Sequence, residues 1–223
     1  MSAAKIEKTP GPLSGWNELP RKLVAMEVFE RVFVLAIFIH FLMKMLGRSA
    51  AEGIEAAVVL LVLAEIIPVV MVFARGPSST LSQKPSDWLF GMAGATMPLL
   101  AIAPHVTPLA PAVLCITLMM LGLALQVAAK FFLGRSFGIV AANRGVKVNG
   151  PYRFVRHPMY AGYTLTHIGF LLMVPHWQNF VVYAAALTLQ VIRILREERV
   201  LSQDPSYQEF AATVRYRLLP GVF

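Results

Sequence analysis

Two short segments in the C-terminal half of the chain carry residue types suited to binding a charged ligand. The first runs from Gly150 to Tyr160 and contains an Arg-His-Pro triplet at residues 156–158. Proline disfavours helical geometry at the preceding residue and suits the first turn of a helix, so His157 is predicted to lie just before a helix. The backbone N–H groups at that helix N-terminus, together with Arg156, would favour an anion or a carboxylate.

The second segment is a pair of glutamates, Glu197 and Glu198, within the charged stretch 193–201. Adjacent residues on a helix point about 100° apart, so only one of the two can face a given site. A glutamate opposite the Arg156-His157 turn would complete a site for a zwitterionic ligand, because it could hold the ammonium group. A charged helix that emerges into water with internal ion pairs explains the same residues without a site.

The helix predicted after Pro158 has a polar face formed by Tyr160, Tyr163, Thr164 and His167. Their offsets of three, four and seven residues place them on one side of a helix. Polar residues on one face of a membrane helix usually look toward the protein interior. This face is therefore either a hydrogen-bonded packing seam or the wall of a cavity that opens at the cytoplasmic surface.

The composition predicts that these segments belong to an all-α polytopic membrane protein. Of 223 residues, 57% are apolar and only 14% are charged, against roughly 25% charged residues in soluble domains. The mean hydropathy is +0.64. The single cysteine, Cys115, excludes an intrachain disulfide and a cysteine-rich zinc site.

Six apolar runs are candidate membrane spans. The third, fifth and sixth have only 15 or 16 residues, which reach about 24 Å along a helix and fall short of a hydrocarbon core of about 30 Å. The fifth and sixth could therefore form a hairpin that penetrates incompletely. The six runs are Phe29–Leu46, Ile54–Ala74, Trp88–Ala103, Leu109–Ala129, Tyr160–Val174 and Phe180–Ile194.

The distribution of positive charge predicts that both termini are cytoplasmic. The net charge is +8, and with six spans 18 of the 20 Lys and Arg residues fall on the cytoplasmic side, as the positive-inside rule requires. Anionic lipid headgroups explain this charge more simply than nucleic acid does, and part of it, at Lys130, Arg135, Arg144 and Lys147, is interpreted as facing lipid. Residues 1–28 are interpreted as a polar tail and residues 29–223 as one domain.

The two segments resemble the isoprenylcysteine carboxyl methyltransferase family and its wider relatives among integral membrane methyltransferases. The resemblance covers about residues 122–220 and rests on an Arg-His-Pro motif followed, after a hydrophobic hairpin, by a Glu-Glu motif. The matching residues are Gly150, Tyr152, Arg156, His157, Pro158, Tyr160 and Gly162, then Arg193 or Arg196, Glu197, Glu198 and Leu201, and finally Tyr207 and Pro220.

This resemblance implies an enzyme that uses S-adenosylmethionine, bound in a cytoplasmic pocket made by the loop before the fifth span, the hairpin and the C-terminal tail. Methyl transfer by such an enzyme needs no metal, and the faces of tyrosine rings could accommodate the positive charge of the cofactor's sulfonium group. The implied cofactor-binding residues are Gly150, Tyr152, Arg156, His157, Pro158, Tyr160, Glu197 and Glu198. Arg156, Glu197 and Glu198 are also the catalytic candidates, and the acceptor-binding candidates are Tyr163, His167 and Arg196.

The acceptor is expected to be a lipid or a lipidated molecule that enters from the membrane. Carboxyl O-methylation of a prenylated cysteine is the nearest analogy, and N-methylation of a phospholipid amine is the nearest rival. A carboxylate acceptor would be attracted by Arg153, Arg156 or Arg196, whereas an amine needs an acid or a base, and the sequence offers both. Two further alternatives are a nicotinamide-dependent reductase, with Tyr163 or His167 as proton donor, and a non-enzymatic transporter or lipid-binding protein.

Overall fold

The computed structural model describes residues 15–52, 66–78, 80–102, 104 and 106–223, and this part of the chain is helical without β-strands. Short 3-10 turns, including Met97–Leu100, Gly134–Ser136 and Gly150–Arg153, connect the longer elements. The helices are α1 (Arg21–Glu52), α2 (described over residues 66–74), α3 (Pro85–Thr96), α4 (Ala112–Leu133), α5 (Pro158–Met173), α6 (Trp177–Leu201) and α7 (Pro205–Thr213).

Two of the described helices, α4 and α6, are long and apolar enough to cross a membrane. Their 22 and 25 residues correspond to lengths of about 33 Å and 38 Å. The outer face of α4 exposes large apolar side chains, among them Val113, Leu121 and Phe131. An apolar face of this kind suits contact with lipid, which agrees with the predicted membrane protein.

Helices α6 and α3 have boundaries that differ from those of the predicted spans. Helix α6 continues through Glu197 and Glu198 without a break, so the predicted sixth span of 15 residues is part of a longer helix. Helix α3 has 12 residues, about 18 Å, before the chain tightens into a 3-10 turn. The predicted span Ile54–Ala74 lies mostly outside the described residues.

The last eight residues of the predicted polar tail, 21–28, lie in α1. Residues 1–14 lie outside the described part of the chain, but α1 begins at Arg21 and the side chain of Glu27 is fully buried. The physical reason is an ion pair within the bundle, because Glu27 accepts from Arg31 at 2.6 Å and from Arg75 at 3.1 Å.

Helices α4 and α5 pack at unusually short range through small residues. Gly122 on α4 faces Gly162 on α5, and a Cβ atom at position 122 would lie 2.7 Å from the Gly162 carbonyl oxygen and 2.6 Å from the Thr166 nitrogen. Two turns further along, Gly169 approaches the Cys115 carbonyl in the same way. Small residues allow this close approach of helix backbones, which is a usual means of helix association in membranes.

Gly122→Ala is therefore expected to lower the free energy of unfolding by about 1–3 kcal/mol, because the added methyl group would collide with the Thr166 hydroxyl and with two backbone atoms of α5 that cannot easily move aside. Thermal unfolding of the detergent-solubilised protein measures the loss. Gly47→Ala is the matched control, since a Cβ at position 47 on α1 meets nothing within 4 Å and alanine is the better helix former. Equal melting temperatures for the two variants would contradict the packing described here.

Helices α5 and α6 form a hairpin whose far end is fastened by one buried amide. Only Val174–His176 separate the two helices. Asn179 is fully buried, and its side chain accepts from the Ile102 nitrogen and donates to the Ile102 carbonyl, both at 3.0 Å. The opposite end of the hairpin carries the Arg-His-Pro turn and the Glu-Glu pair, which the hairpin thereby brings side by side.

Candidate active site

A cavity lies at that end of the bundle, between the loop after α4, the first turn of α5, the last turns of α6 and α7. It contains about 750 Å³ of space between atoms, a volume that includes open solvent. The predicted cofactor-binding residues that line it are Tyr152, Arg156, His157, Tyr160 and Glu197, whereas Gly150, Pro158 and Glu198 do not reach its surface.

The turn before α5 forms as predicted, but its backbone donors are occupied. His157 is the N-cap residue and Pro158 takes the first helical position. The N–H groups of Arg156 and His157 donate to the carbonyls of Tyr216 and Arg217, at 2.9 Å and 2.8 Å. The two residues before the helix are therefore paired through their backbone with the C-terminal tail.

Glu198 joins three parts of the chain behind the cavity. Its Oε1 atom lies 3.2 Å from His157 Nε2 and 2.8 Å from Arg156 Nε, and it accepts a hydrogen bond from the Tyr207 hydroxyl at 3.1 Å. Its Oε2 atom accepts from Arg217 Nε at 2.7 Å. Through these contacts Glu198 of α6 links the first turn of α5, helix α7 and the C-terminal tail.

Glu197 has the opposite arrangement, because its carboxylate lines the cavity. It accepts a hydrogen bond from the Tyr160 hydroxyl, and its Oε2 atom lies 3.9 Å from His157 Nδ1. The two glutamates therefore divide as the 100° offset predicted, with one in the cavity and the other behind it, although both approach the His157 ring. Glu197 is the only carboxylate among the described residues that line the cavity.

Arg156 also faces the tail rather than a free site. In addition to its pairing with Glu198, its Nη1 atom donates to the carbonyls of Ala211 and Val214, at 3.3 Å and 3.4 Å. Both carbonyls belong to the end of α7 and the residue that follows it. The guanidinium of Arg156 thus caps the C-terminal end of α7 and holds it next to the cavity.

Two buried tyrosines complete the cavity wall. Tyr152 is held because Gly150 adopts a positive φ of 59° and packs on the Phe132 ring, where a Cβ would lie 2.6 Å from ring atoms. Burial raises the pKa of Tyr152 and, on α7, the pKa of Tyr207 well above their usual range. Both phenols stay protonated near neutral pH, so the Tyr207 hydroxyl can donate a hydrogen bond to the Glu198 carboxylate.

The predicted acceptor-binding residues are not at the cavity surface. Tyr163 and His167 continue a ring stack away from Tyr160, and the His167 ring lies 4.3 Å from the ring of Tyr183 on α6. Beyond Tyr160, which lines the cavity, this polar face of α5 is therefore a packing seam. Arg196 points toward α3, where it pairs with Asp87 and donates to the Ser86 hydroxyl at 2.6 Å.

Part of the charge interpreted as facing lipid is buried instead. Lys130 is fully buried, with its Nζ atom 5.6 Å from the centre of the Tyr163 ring. Arg144 is 5% exposed and pairs with Glu30 at 3.3 Å. Lys147 is exposed and lines the cavity. The prediction was wrong for the two buried residues. No acid lies near Arg144 in sequence, and the folded chain brings Glu27 and Glu30 of α1 to it.

Helix α7 and the cavity loop are joined through Asp204. This N-cap residue accepts from the Ser206 nitrogen at 2.9 Å and from Asn143 Nδ2 at 2.6 Å. The hydrogen bonds from Ser206, and then the one from Asn143, hold the pKa of Asp204 below its usual range. A lowered carboxyl pKa stabilises the fold above the unfolded value of about 3.9, and this contribution is lost as the pH falls through the folded pKa.

Asp204→Ala is expected to lower the free energy of unfolding by about 1 kcal/mol at pH 7, the usual cost of losing an N-cap. The difference from the unaltered protein should shrink as the pH falls below the unfolded pKa of about 3.9 and through the lower pKa of Asp204 in the folded protein. Thermal unfolding at both pH values measures the effect. Glu209→Ala, an exposed change on the same helix, is the control, and an equal loss from it would rule out the capping role.

Sequence reasoning missed the buried acids Glu27 and Glu30, which contact the loop that lines the cavity. The only signal in the sequence was the spacing of three residues between the two acids, beside Arg31. The boundary between the predicted tail and the first predicted span separated Glu27 from Glu30. In the part of the chain that the structure describes, no group of three or more His, Cys, Asp or Glu side chains could hold a metal ion.

Residues 111–205 match the family described as phospholipid methyltransferase. The matched segment is somewhat less than half of the chain and contains α4, α5, α6 and most of the cavity lining. No curated protein matches the chain. The match confirms the enzyme class predicted from the sequence, an S-adenosylmethionine-dependent methyltransferase, and it supports association with a membrane.

Proposed function

We propose that this protein is an integral membrane enzyme that transfers a methyl group from S-adenosylmethionine to the amine of a membrane phospholipid. The observation that carries the proposal is the cavity within the matched segment, whose only described carboxylate is Glu197 and whose neighbouring arginines are engaged elsewhere. The family description supports a phospholipid acceptor, and the charges around the cavity support an amine.

A carboxylate acceptor needs a free cation, and the three arginines considered for it do not provide one. Arg156 pairs with Glu198 and binds two carbonyls of the tail. Arg196 pairs with Asp87 on the far side of α6. Arg153 is exposed and does not line the cavity. His157 lines the cavity and is a group able to accept the proton that an ammonium must lose before its nitrogen attacks.

The cavity residues fit the cofactor in charge. We infer that Glu197 holds the ammonium of its methionine part, that Lys147 attracts its carboxylate, and that the faces of Tyr152 and Tyr160 lie near the sulfonium. S-adenosylmethionine supplies a methyl group whose bond to sulfur breaks as a bond to the acceptor nitrogen forms, leaving S-adenosylhomocysteine. The protein's part is to align the amine, exclude water and take up the proton.

Six spans with both termini in the cytoplasm remain the topology that we propose. The charge asymmetry of the loops supports it, and the two long apolar helices α4 and α6 are consistent with it. In this arrangement the cavity opens to the cytoplasm, from which the cofactor enters, and the acceptor arrives from the lipid. Exposed basic residues such as Arg153 and Lys147 would then lie near anionic headgroups.

Methyl transfer in vesicles tests the acceptor. The purified protein is reconstituted with methyl-labelled S-adenosylmethionine in vesicles that contain phosphatidylethanolamine, and in matched vesicles of phosphatidylcholine, whose nitrogen carries no proton. We expect label in the ethanolamine lipid that survives alkaline hydrolysis of esters. Label that appears only on an added prenylated cysteine, and is released by alkali as a methyl ester, would overturn the phospholipid assignment and favour carboxyl methylation.

A further inference from the structure

We propose that Glu30 of α1 is a positioning residue of the methyltransferase site, acting through the loop 137–145 that forms one wall of the cavity. The inference rests on the proposed function and assigns a role to a helix outside the segment matched to the family. Glu30 belongs to a buried ion network of two glutamates and three arginines. Its members are Glu27, Glu30, Arg31, Arg75 and Arg144, and none is more than 7% exposed.

Both oxygens of Glu30 bind the loop or a residue that contacts it. Oε1 accepts from the backbone nitrogens of Ile139 and Val140, at 2.6 Å and 3.2 Å. Oε2 pairs with Arg75 at 2.7 Å and with Arg144 at 3.3 Å. One carboxylate therefore fixes two successive peptide groups of the loop and the side chain that follows them.

The same loop supplies several residues of the cavity lining, namely Gly138, Val140, Ala141, Ala142, Arg144 and Gly145. The network packs directly on its backbone, since a Cβ at Gly138 would lie 2.5 Å from Arg75 Nη1 and 2.8 Å from Arg144 Cζ. Arg75 also donates to the Phe137 carbonyl. A shift of the carboxylate would thus move the cavity wall.

Stability alone gives no reason for such a network. Buried ion pairs add little net stability compared with apolar packing of similar volume, whereas removal of one partner leaves an uncompensated charge. Here two carboxylates face three guanidinium groups, so the charge of Glu30 cannot be lost without leaving Arg75 and Arg144 in mutual repulsion. The contacts that the network makes lead to the cavity wall, which is what a positioning role requires.

Glu30→Gln tests the role, because glutamine can still accept from Ile139 and Val140 but turns an NH₂ group toward two guanidinium groups. We expect the Kd for S-adenosylhomocysteine to rise at least about tenfold, as displaced binding groups cost that much or more. Hydrogen exchange of residues 137–145 should become faster. Asn179→Ala is the matched control, since it removes a fully buried polar hub at the opposite end of the hairpin and should lower the melting temperature without changing the Kd.

Arg144→Lys provides a second variant if Glu30→Gln does not fold. Lysine keeps the charge but loses the fork that joins Glu30 to the Val140 carbonyl, so the same rise in Kd is expected. A Kd for the Glu30 or Arg144 variant no higher than that of Asn179→Ala would overturn the positioning role while leaving the proposed function standing. Failure of the unaltered protein to bind S-adenosylhomocysteine would overturn both.

Discussion

The Glu197→Gln protein should keep its fold and bind S-adenosylhomocysteine about 10- to 100-fold more weakly than the unaltered protein. This range corresponds to the loss of one charge-assisted interaction with an ammonium group, about 1.5–3 kcal/mol. Glu197 lines the cavity, and apart from the Tyr160 hydroxyl its nearest partners, His157 and Arg193, lie at 3.9 Å and 4.0 Å. The change therefore alters the cavity more than the packing, and the methyl transfer rate should fall with it.

Glu198→Gln separates the two glutamates, because it removes the charge behind the cavity. Arg156 and Arg217 would both lose their carboxylate partner, so this variant should show the larger fall in melting temperature. Titration of each purified variant with S-adenosylhomocysteine, together with thermal unfolding, measures both effects. Glu197→Gln protein that unfolds early yet binds normally once folded would reverse the roles assigned here.

Arg156→Ala is the second change with a large expected effect, and it should reduce stability as well as binding. From the sequence, Arg156 is a loop residue whose loss spares the bundle. In the structure its side chain is 9% exposed and joins Glu198 to the end of α7. Breaking a buried ion pair from one side typically costs about 3–5 kcal/mol, and since Glu198 keeps Arg217 as a partner we expect about 3 kcal/mol.

The Arg156→Lys protein is the matched comparison, since it keeps the charge near Glu198 but not the two bonds to Ala211 and Val214. We expect it to recover part of the melting temperature and to bind S-adenosylhomocysteine more tightly than Arg156→Ala. Thermal unfolding and calorimetric titration of the two proteins measure this. An Arg156→Ala protein that melts like the unaltered one would show that α7 does not depend on this side chain.

Local rules were sufficient for the centre of the site. The effect of proline on its neighbours predicted the helix start at Pro158, and the angular offset of adjacent helical residues predicted that Glu197 and Glu198 would face different surroundings. Both depend only on residues close in sequence. The short connection between α5 and α6 then brings the two motifs together. The two neighbouring apolar runs, the fifth and sixth predicted spans, had indicated such a hairpin.

Partners distant in sequence could not be predicted in this way. Arg144 has no acid near it in sequence, and its partner Glu30 lies 114 residues away on α1. Arg196 belongs to the same charged stretch as Glu197, yet it turns to Asp87 on α3. In each case the tertiary fold determines which acid pairs with the arginine, and this pairing cannot be predicted from a single sequence.

The most direct measurement is calorimetric titration of the detergent-purified protein with S-adenosylmethionine and S-adenosylhomocysteine, and with NADPH for comparison. We predict saturable binding of the first two at one site, strong weakening of both in Glu197→Gln, and no binding of NADPH. Binding of NADPH without binding of S-adenosylhomocysteine would contradict the account and point to a nicotinamide-dependent reductase in the same cavity.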